Sequence, residues 1–326
     1  MRTDRVKNAL WTTAAGFRMA RILLTAVELD VFTDIGNARK SAAEVAEEAG
    51  TDARATEVLL NALVAMGYLK KKAGRFSNTA VSRRHLVKGS EDYLGGPLGH
   101  SNYLWMTWSQ LTKVVRSGKP AEVEAPDYAT ESFIMAMAAG ARETAPVVAD
   151  VLDFAGVRRL LDLGGGPGTF AIEFAGRNPG LEAVVFDRPD VVPIARRVIA
   201  AAGMSERVRT AAGNFLHDDI GSGYDLVFVS SIIHSYGAEQ NRLILRKAHD
   251  ALNPGGQVVV RDFIMEEGKT KPASGAIFAI NMLVNTDSGA TYSEIEVRQW
   301  LEECAFENIV RKDIGTDGAL LIGRRR

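Results

Sequence analysis

Residues Leu160 to Phe170 read LLDLGGGPGTF. An apolar run carrying Asp162 ends at Leu163. Gly164, Gly165, Gly166, Pro167 and Gly168 then crowd a turn, and the helical-looking TFAIEFAGR follows. This is the pattern of a strand, a tight loop and a helix N-terminus, in which glycines let a ligand approach the backbone closely. The loop therefore suits a nucleotide-like cofactor. A dinucleotide fingerprint would need glycine where Thr169 stands, and a P-loop would need a Gly-Lys-Ser/Thr that does not follow. Instead a second acid, Asp187, closes the next strand, LEAVVFD, where a carboxylate can accept hydrogen bonds from both hydroxyls of a ribose.

Outward from this turn the chain alternates: strand RLLDL, helix, strand EAVVF, helix VVPIARRVIAAAG, strands RVRTAA and DLVFVSS, helix AEQNRLILRKAHDAL, strand QVVVRDF, helix SEIEVRQWLEECAF, and last strands IVRKD and ALLIGR. Such alternation predicts an α/β domain with a mostly parallel seven-stranded sheet and helices on both faces. Ligands in these sheets sit beyond the strand C-termini. The chemistry-bearing residues collect there: Asp162 and the glycine turn, Asp187 with Arg188, Asn214 with Phe215, Ser230 to His234, and Asp262. His234 leaves a buried strand for a loop, so its imidazole is expected at the crevice. Asp262, ending a neighbouring strand, could hold one ring nitrogen and leave the other as a base. Its competing roles are an N-cap or a salt bridge to Arg261. His85, His100, His217 and His249 carry no comparable context and are assigned to structure.

Before residue 150 the pattern is helical. ILLTAVELDVFTDI, SAAEVAEEAG and ATEVLLNALVAMGYL have apolar residues at helical spacing, with a capping box from Ser41 to Glu44. KKKAGRFSNTA then reads as a hairpin around Gly74, giving a winged helix. Residues 1–90 hold fifteen Lys/Arg against nine Asp/Glu, a net +6, which raises DNA binding. The third helix opposes it, since VLLNALVAM offers a base edge mainly Asn61. Further helices are expected over 102–116 and 131–152, separated by the turn-rich GKPAEVEAPD.

Across the 326 residues, 46% are hydrophobic and the formal net charge is −1. No apolar run reaches membrane-spanning length and the N-terminus has no signal-peptide core. The one cysteine, Cys304, excludes an intrachain disulfide and a cysteine-rich zinc site. A cytoplasmic protein is expected, with no metal: Asp218 and Asp219 read as a solvated turn.

Seven segments in order, AVELDVFTDIG…LLNALVAMGYL, LDLGGGPG, FDRPDVV, GNFL, IIHSYG, LNPGG and GATYSEIEVRQWLEECAF, resemble the plant-type and bacterial small-molecule O-methyltransferases that include caffeic acid and hydroxyindole O-methyltransferases. The resemblance covers nearly the whole chain. It implies a class I methyltransferase sheet of Rossmann-like type, bound to S-adenosylmethionine (SAM), and a homodimer built by the N-terminal helices. It places a winged-helix dimerisation domain at 1–100, a helical linker contributing to the acceptor pocket at 101–150, and a SAM-binding catalytic domain at 151–326, without nucleic-acid or membrane partners. SAM contacts are implied for Asp162, Gly164, Gly166, Asp187, Arg188, Asn214, Phe215 and Ser230. His234 is implied as the general base on an acceptor hydroxyl, with Asp262 behind it. The acceptor pocket would take Trp105, Met106 and Trp108, then Phe133 and Met137, then Phe278, Met282 and Asn285, which suits a flat, largely apolar acceptor carrying a hydroxyl.

Four positions depart from the family pattern. Asn214 stands where an acid is usual, the common His-Asp-Trp is His234-Ser235-Tyr236, and Thr291 aligns with a second carboxylate that often flanks the histidine. Asp262 alone is left to orient the base. Two other readings stay open: a SAM enzyme of the same fold with other chemistry, such as C- or N-methylation, hydroxylation or decarboxylation, and a winged-helix ligand-sensing or DNA-binding regulator.

Overall fold

The computed structural model describes residues 1–326 apart from Met1, Glu91, Ala125, Asp127, Tyr128, Thr316 and Asp317, with side chains from Asn8 onward. It divides into two units, Met1–Leu104 and Trp105–Arg326.

The first unit contains α1 (Arg2–Ala15), α2 (Phe17–Glu28), α3 (Val31–Ile35), β1 (Lys40–Ser41), α4 (Ala42–Ala49), α5 (Ala53–Ala65), β2 (Leu69–Lys72), β3 (Arg75–Asn78) and α6 (Ala80–His85). The capping box is formed: Ser41 Oγ accepts the Glu44 N–H, and the Glu44 carboxylate accepts the Ser41 N–H at 2.6 Å. The wing turns at Ala73 and Gly74, both with positive φ, as a two-residue hairpin of matching twist requires. Val31, Phe32, Ile35, Val45, Leu60, Leu63 and Phe76 form the core beneath it. On the outer side of α5, Glu57 and Asn61 both accept from Lys71 of the wing, at 3.0 and 2.9 Å.

α7 (Gly95–Trp108) contains the division between the units. The single helix expected over 102–116 is two: it breaks at Ser109–Gln110 before α8 (Leu111–Ser117). Ser109 Oγ donates back to the Met106 carbonyl at 2.7 Å and Gln110 reaches the Glu122 carbonyl, a local competition that shortens helices. α9 (Ala129–Val151) follows.

The sheet of the second unit is built from β4 (Arg159–Leu163), β5 (Glu182–Asp187), β6 (Val208–Ala212), β7 (Tyr224–Ser230) and β8 (Leu252–Asp262), all parallel. β11 (Phe306–Asp313) and β12 (Ala319–Arg325) add an antiparallel edge, giving the order β11-β12-β8-β7-β4-β5-β6. Between them run α10 (Thr169–Arg177), α11 (Val192–Ala201), α12 (Ala238–Ala251) and α14 (Glu294–Glu303). Alternation along the strands separates two cores. Val227, Val229, Val258 and Val260 pack with α12 and α14, while Leu160, Phe228 and Val259 pack with α9, α10 and α11. The structure adds what the strand-and-helix alternation omitted: β9 (Ile264–Met265), α13 (Ala273–Asn285) and β10 (Tyr292–Ser293) lie between β8 and α14. AIFAINMLVN is apolar almost all round, so no amphipathic stripe announces a surface helix.

Candidate functional site

The chain order reverses at β4, which has β5 on one side and β7 on the other, so the crevice above its C-terminal end is the expected ligand site of this topology. The glycine turn lines it. Gly164 has φ +67°, and a Cβ there would sit 2.3 Å from Ile232 Cδ1. A Cβ on Gly165 would sit 2.6 Å from the Asp162 carboxyl carbon. No larger residue fits either place without moving its neighbour.

Asp162 is 1% exposed, and neither carboxyl oxygen meets a donor in hydrogen-bond geometry. Burial, then the nearby Asp187, pushes its pKa up to about 7, opposed only by a weak pull from the Ala171 N–H. Asp187 is held firmly: Oδ2 accepts the Gly166 N–H and Oδ1 the Arg188 N–H, both at 2.7 Å. Burial raises its pKa against those two bonds. Each oxygen keeps a second lone pair, so the carboxylate pins the glycine turn and can still accept hydroxyl donors.

The remaining cofactor candidates are placed unequally. The guanidinium of Arg188 turns to Asp190, 2.9 Å away at the surface, so this residue serves the site through its backbone N–H. Asn214 is exposed, its Oδ1 accepts the Leu216 N–H at 3.0 Å, and its own N–H donates to Asp218. Its side chain closes its own turn and presents only the amide NH₂ outward. Phe215 is buried against the Gly164 backbone and meets Tyr236 edge-on at 5.6 Å. Ser230, ending β7, has a buried hydroxyl with no partner.

His234 lies on a single helical turn, Ile233–Ser235, just beyond β7. Its Nδ1 is 2.8 Å from Asp262 Oδ1, and its backbone N–H approaches Oδ2 at 3.4 Å. The Phe263 N–H adds a third bond to the same carboxylate, at 2.8 Å. A buried carboxylate on Nδ1 favours the tautomer with its proton on that nitrogen, in which Nε2 is the one able to accept a proton. Asp262 makes no salt bridge to Arg261 among the described residues. Phe278 of α13 meets the imidazole edge-on at 4.8 Å and stacks on Phe263 at 4.6 Å.

Of the other acceptor-pocket candidates, Trp108 Nε1 donates to Asn281 Oδ1 at 2.9 Å, and Asn285 Nδ2 donates to the same oxygen at 3.0 Å. Asn285 Oδ1 is buried without a partner, and Met282 is buried beside it. Trp105 is half-buried on α7; Met106 is partly exposed. Phe133 and Met137 lie one turn apart on α9, both 41% exposed. Sequence reasoning missed Asn281, whose spacing of four from Asn285 on a helix was the available signal. It also missed Tyr292, whose hydroxyl donates to the Tyr236 carbonyl at 2.6 Å and ties down the segment after His234. Thr291 is buried beside it.

Residues 113–307 match the O-methyltransferase domain and residues 11–88 the O-methyltransferase dimerisation domain. A 3-hydroxy-5-methyl-1-naphthoate 3-O-methyltransferase from Streptomyces sahachiroi is 35% identical, over 94% of this chain and 91% of that protein. The tetracenomycin polyketide synthesis 8-O-methyl transferase TcmO from Streptomyces glaucescens is 30% identical, over 95% and 94%. PigF, a SAM-dependent methyl transferase of a Serratia strain, is 27% identical over 95% and 93%. The solved structure of PigF with SAH superposes with a TM-score of 0.89 at 26% identity, covering 98% of this chain and 99% of that one. Fold, glycine turn and matched domains converge, and the chain belongs to the O-methyltransferase family.

Proposed function

We propose that this protein transfers a methyl group from SAM to a hydroxyl of a small aromatic or polycyclic acceptor, with His234 as the general base. The observation that carries this reading is the His234–Asp262 pair, 2.8 Å apart at the mouth of a class I methyltransferase crevice. SAM supplies a methyl carbon made electrophilic by its positive sulfur. Asp187 would accept from the ribose hydroxyls, and the buried Asp162, short of donors, suits the cationic end of the same molecule.

A free imidazole titrates about 3.5 units below a free phenol, so full proton transfer beforehand is uphill by roughly 5 kcal/mol. Concerted transfer removes that requirement. With methyl transfer to the acceptor oxygen releasing S-adenosylhomocysteine, the hydroxyl proton would pass to His234 Nε2 in the same step. The imidazolium is stabilised by Asp262, which is fixed by the Phe263 N–H. Phe278 and Phe263 provide an apolar wall beside the ring, which favours a flat apolar acceptor.

The division of labour in this reading is a dimerising winged helix over residues 1–100, a helical linker over 101–150 that contributes to the acceptor pocket, and a SAM-binding sheet over 151–326; the dimerisation-domain match over 11–88 supports the first of these. The apolar residues Leu10, Trp11, Phe17 and Met19 are exposed on α1 and α2 and suit burial in a homodimer. No helix among the described residues is long and apolar enough to cross a membrane, and the single buried Cys304 suits a reducing cytoplasm.

The test is turnover with methyl-labelled SAM and a panel of naphthols, phenols and aromatic amines, comparing the wild type with His234→Gln. Labelled ether from the wild type, lost in the variant while SAM binding persists, is the expected result. Label on nitrogen or carbon, or unchanged ether formation by the variant, overturns the proposal.

A further inference from the structure

The C-terminal end of β8 carries two adjacent charges, and the chemistry above uses one. Asp262 faces His234. Arg261, the residue before it, faces the opposite side of the sheet, where its guanidinium lies 5.7 Å from the centre of the Phe170 ring and Nη1 donates to Ser231 Oγ at 2.9 Å. Its Nε is buried with no partner. Among the described residues no carboxylate pairs with it, and the adjacent Asp262 is committed to His234 and Phe263. Burial pulls the guanidinium pKa down. Ser230, the cross-strand neighbour of Arg261, turns its own unpartnered hydroxyl to the same face.

A largely buried cation without a counter-ion is costly, and buried polar atoms such as the Arg261 Nε nearly always have partners in folded proteins. The pair therefore calls for an anionic group from outside the chain. Its place in the sheet says which. Phe170 belongs to the first turn of α10, the helix that leaves the glycine turn. From Asp187 on β5, across β4 and β7, to β8 is three strand spacings of about 4.8 Å, on the order of 14 Å. With a ribose at Asp187, the amino-acid end of an extended cofactor would lie over β4 and β7, within reach of a long side chain from β8.

We propose that Arg261, assisted by the Ser230 hydroxyl, is a positioning residue that pairs with the carboxylate at the methionine end of SAM. This rests on the methyl-transfer reading above. A guanidinium suits that role because its planar fork matches a carboxylate and it stays charged when buried. With Asp187 holding the ribose at one end and Arg261 the carboxylate at the other, the sulfur between them is held from both sides.

The test separates the tail from the rest of the molecule. S-adenosylhomocysteine and methylthioadenosine share the adenosine and the sulfur, but only the former carries the amino-acid tail. Calorimetric titration of both into the wild type, Arg261→Met and Ser230→Ala is expected to show S-adenosylhomocysteine weakened by ~10- to 100-fold in the arginine variant and several-fold in the serine variant. Methylthioadenosine affinity should stay within about twofold, which also reports an intact fold. Equal weakening of both ligands, or of neither, in both variants overturns the assignment. No binding of S-adenosylhomocysteine by the wild type overturns the methyl-transfer reading and this one with it.

Discussion

Asp162 should make the ligand-free protein lose stability as pH rises, and its replacement by asparagine should remove that loss. The carboxyl is 1% exposed, lacks well-placed donors, and titrates at about 7 in place of 3.8. Between those two values the folded state binds a proton that the unfolded state has released, so stability falls with rising pH through this window and levels off above 7. A shift of about three units is worth roughly 4 kcal/mol, fully felt above pH 7 and absent below pH 4. Asparagine does not titrate. It carries its own cost of about 1–3 kcal/mol for a buried amide short of partners, but that cost is independent of pH. The stability of Asp162→Asn relative to wild type should therefore climb by about 4 kcal/mol from pH 4 to pH 8, which at about 2–4 °C per kcal/mol moves the midpoint gap by roughly 10 °C. Calorimetric melting of both ligand-free proteins at half-unit pH steps measures this. Parallel melting curves across the whole range would refute the account of Asp162 as a buried acid kept protonated at neutral pH. Adding SAM should narrow the gap, since a cation beside the carboxyl favours its ionised form.

Loss of the His234 base should lower the rate by ~10²- to 10⁴-fold; His234→Gln with an unchanged dissociation constant for S-adenosylhomocysteine is the expected signature, and weakened binding would instead make this residue part of the cofactor site. Asp262→Asn should also lower turnover by about 10²-fold or more, because an amide cannot hold the Nδ1 proton and stabilise the imidazolium; near-normal kcat in this variant would separate the pair. Asp187→Ala should weaken S-adenosylhomocysteine by ~10- to 100-fold and also loosen the glycine turn it tethers through Gly166; unchanged affinity, by calorimetry, would move the ribose elsewhere. Trp11, 68% exposed on α1, should be buried in a dimer, so Trp11→Glu should shift the mass in light scattering from dimer to monomer, and a wild type that is already monomeric would contradict the assembly.

What was legible in the chain, and what was not, divides along physical lines. The strand ends were readable because apolar runs end on Asp187 and Asp262 and one residue past Asp162, and the sheet's topology gathers such ends in one place. The His234–Asp262 pair was readable for the same reason, since β7 and β8 are neighbours. Side-chain direction was not readable where a local partner competes. Arg188 has Asp190 two residues on, and Asn214 has the Leu216 N–H, so both satisfy themselves beside the crevice. The helix break at Ser109 depends on a hydroxyl choosing its own backbone. α13 escaped because a helix apolar on all sides has no stripe. Asn281 escaped because its value lies in joining Trp108 to Asn285, a meeting made by tertiary packing.

The arrangement at the end of β8 also explains why this strand must be held in register. Arg261 and Asp262 are consecutive, so the pleat sends them to opposite faces. One contributes the partner of the base, the other a cation aimed toward the cofactor end. A slip of one residue would exchange them, putting a guanidinium beside His234, where it would oppose the imidazolium, and a carboxylate where an anion is to be bound. β8 is protected from that slip on both sides: it is paired in parallel with β7 from Leu226↔Gln257 to Ser230↔Arg261, and antiparallel with β12 from Ala319↔Asp262 to Arg324↔Gln257. Val258, Val259 and Val260 sit fully buried in alternate cores immediately before the charged pair. The antiparallel edge therefore does more than close the sheet. By fixing the register of β8 it keeps two opposite charges, one residue apart, on the sides of the sheet where each has a use.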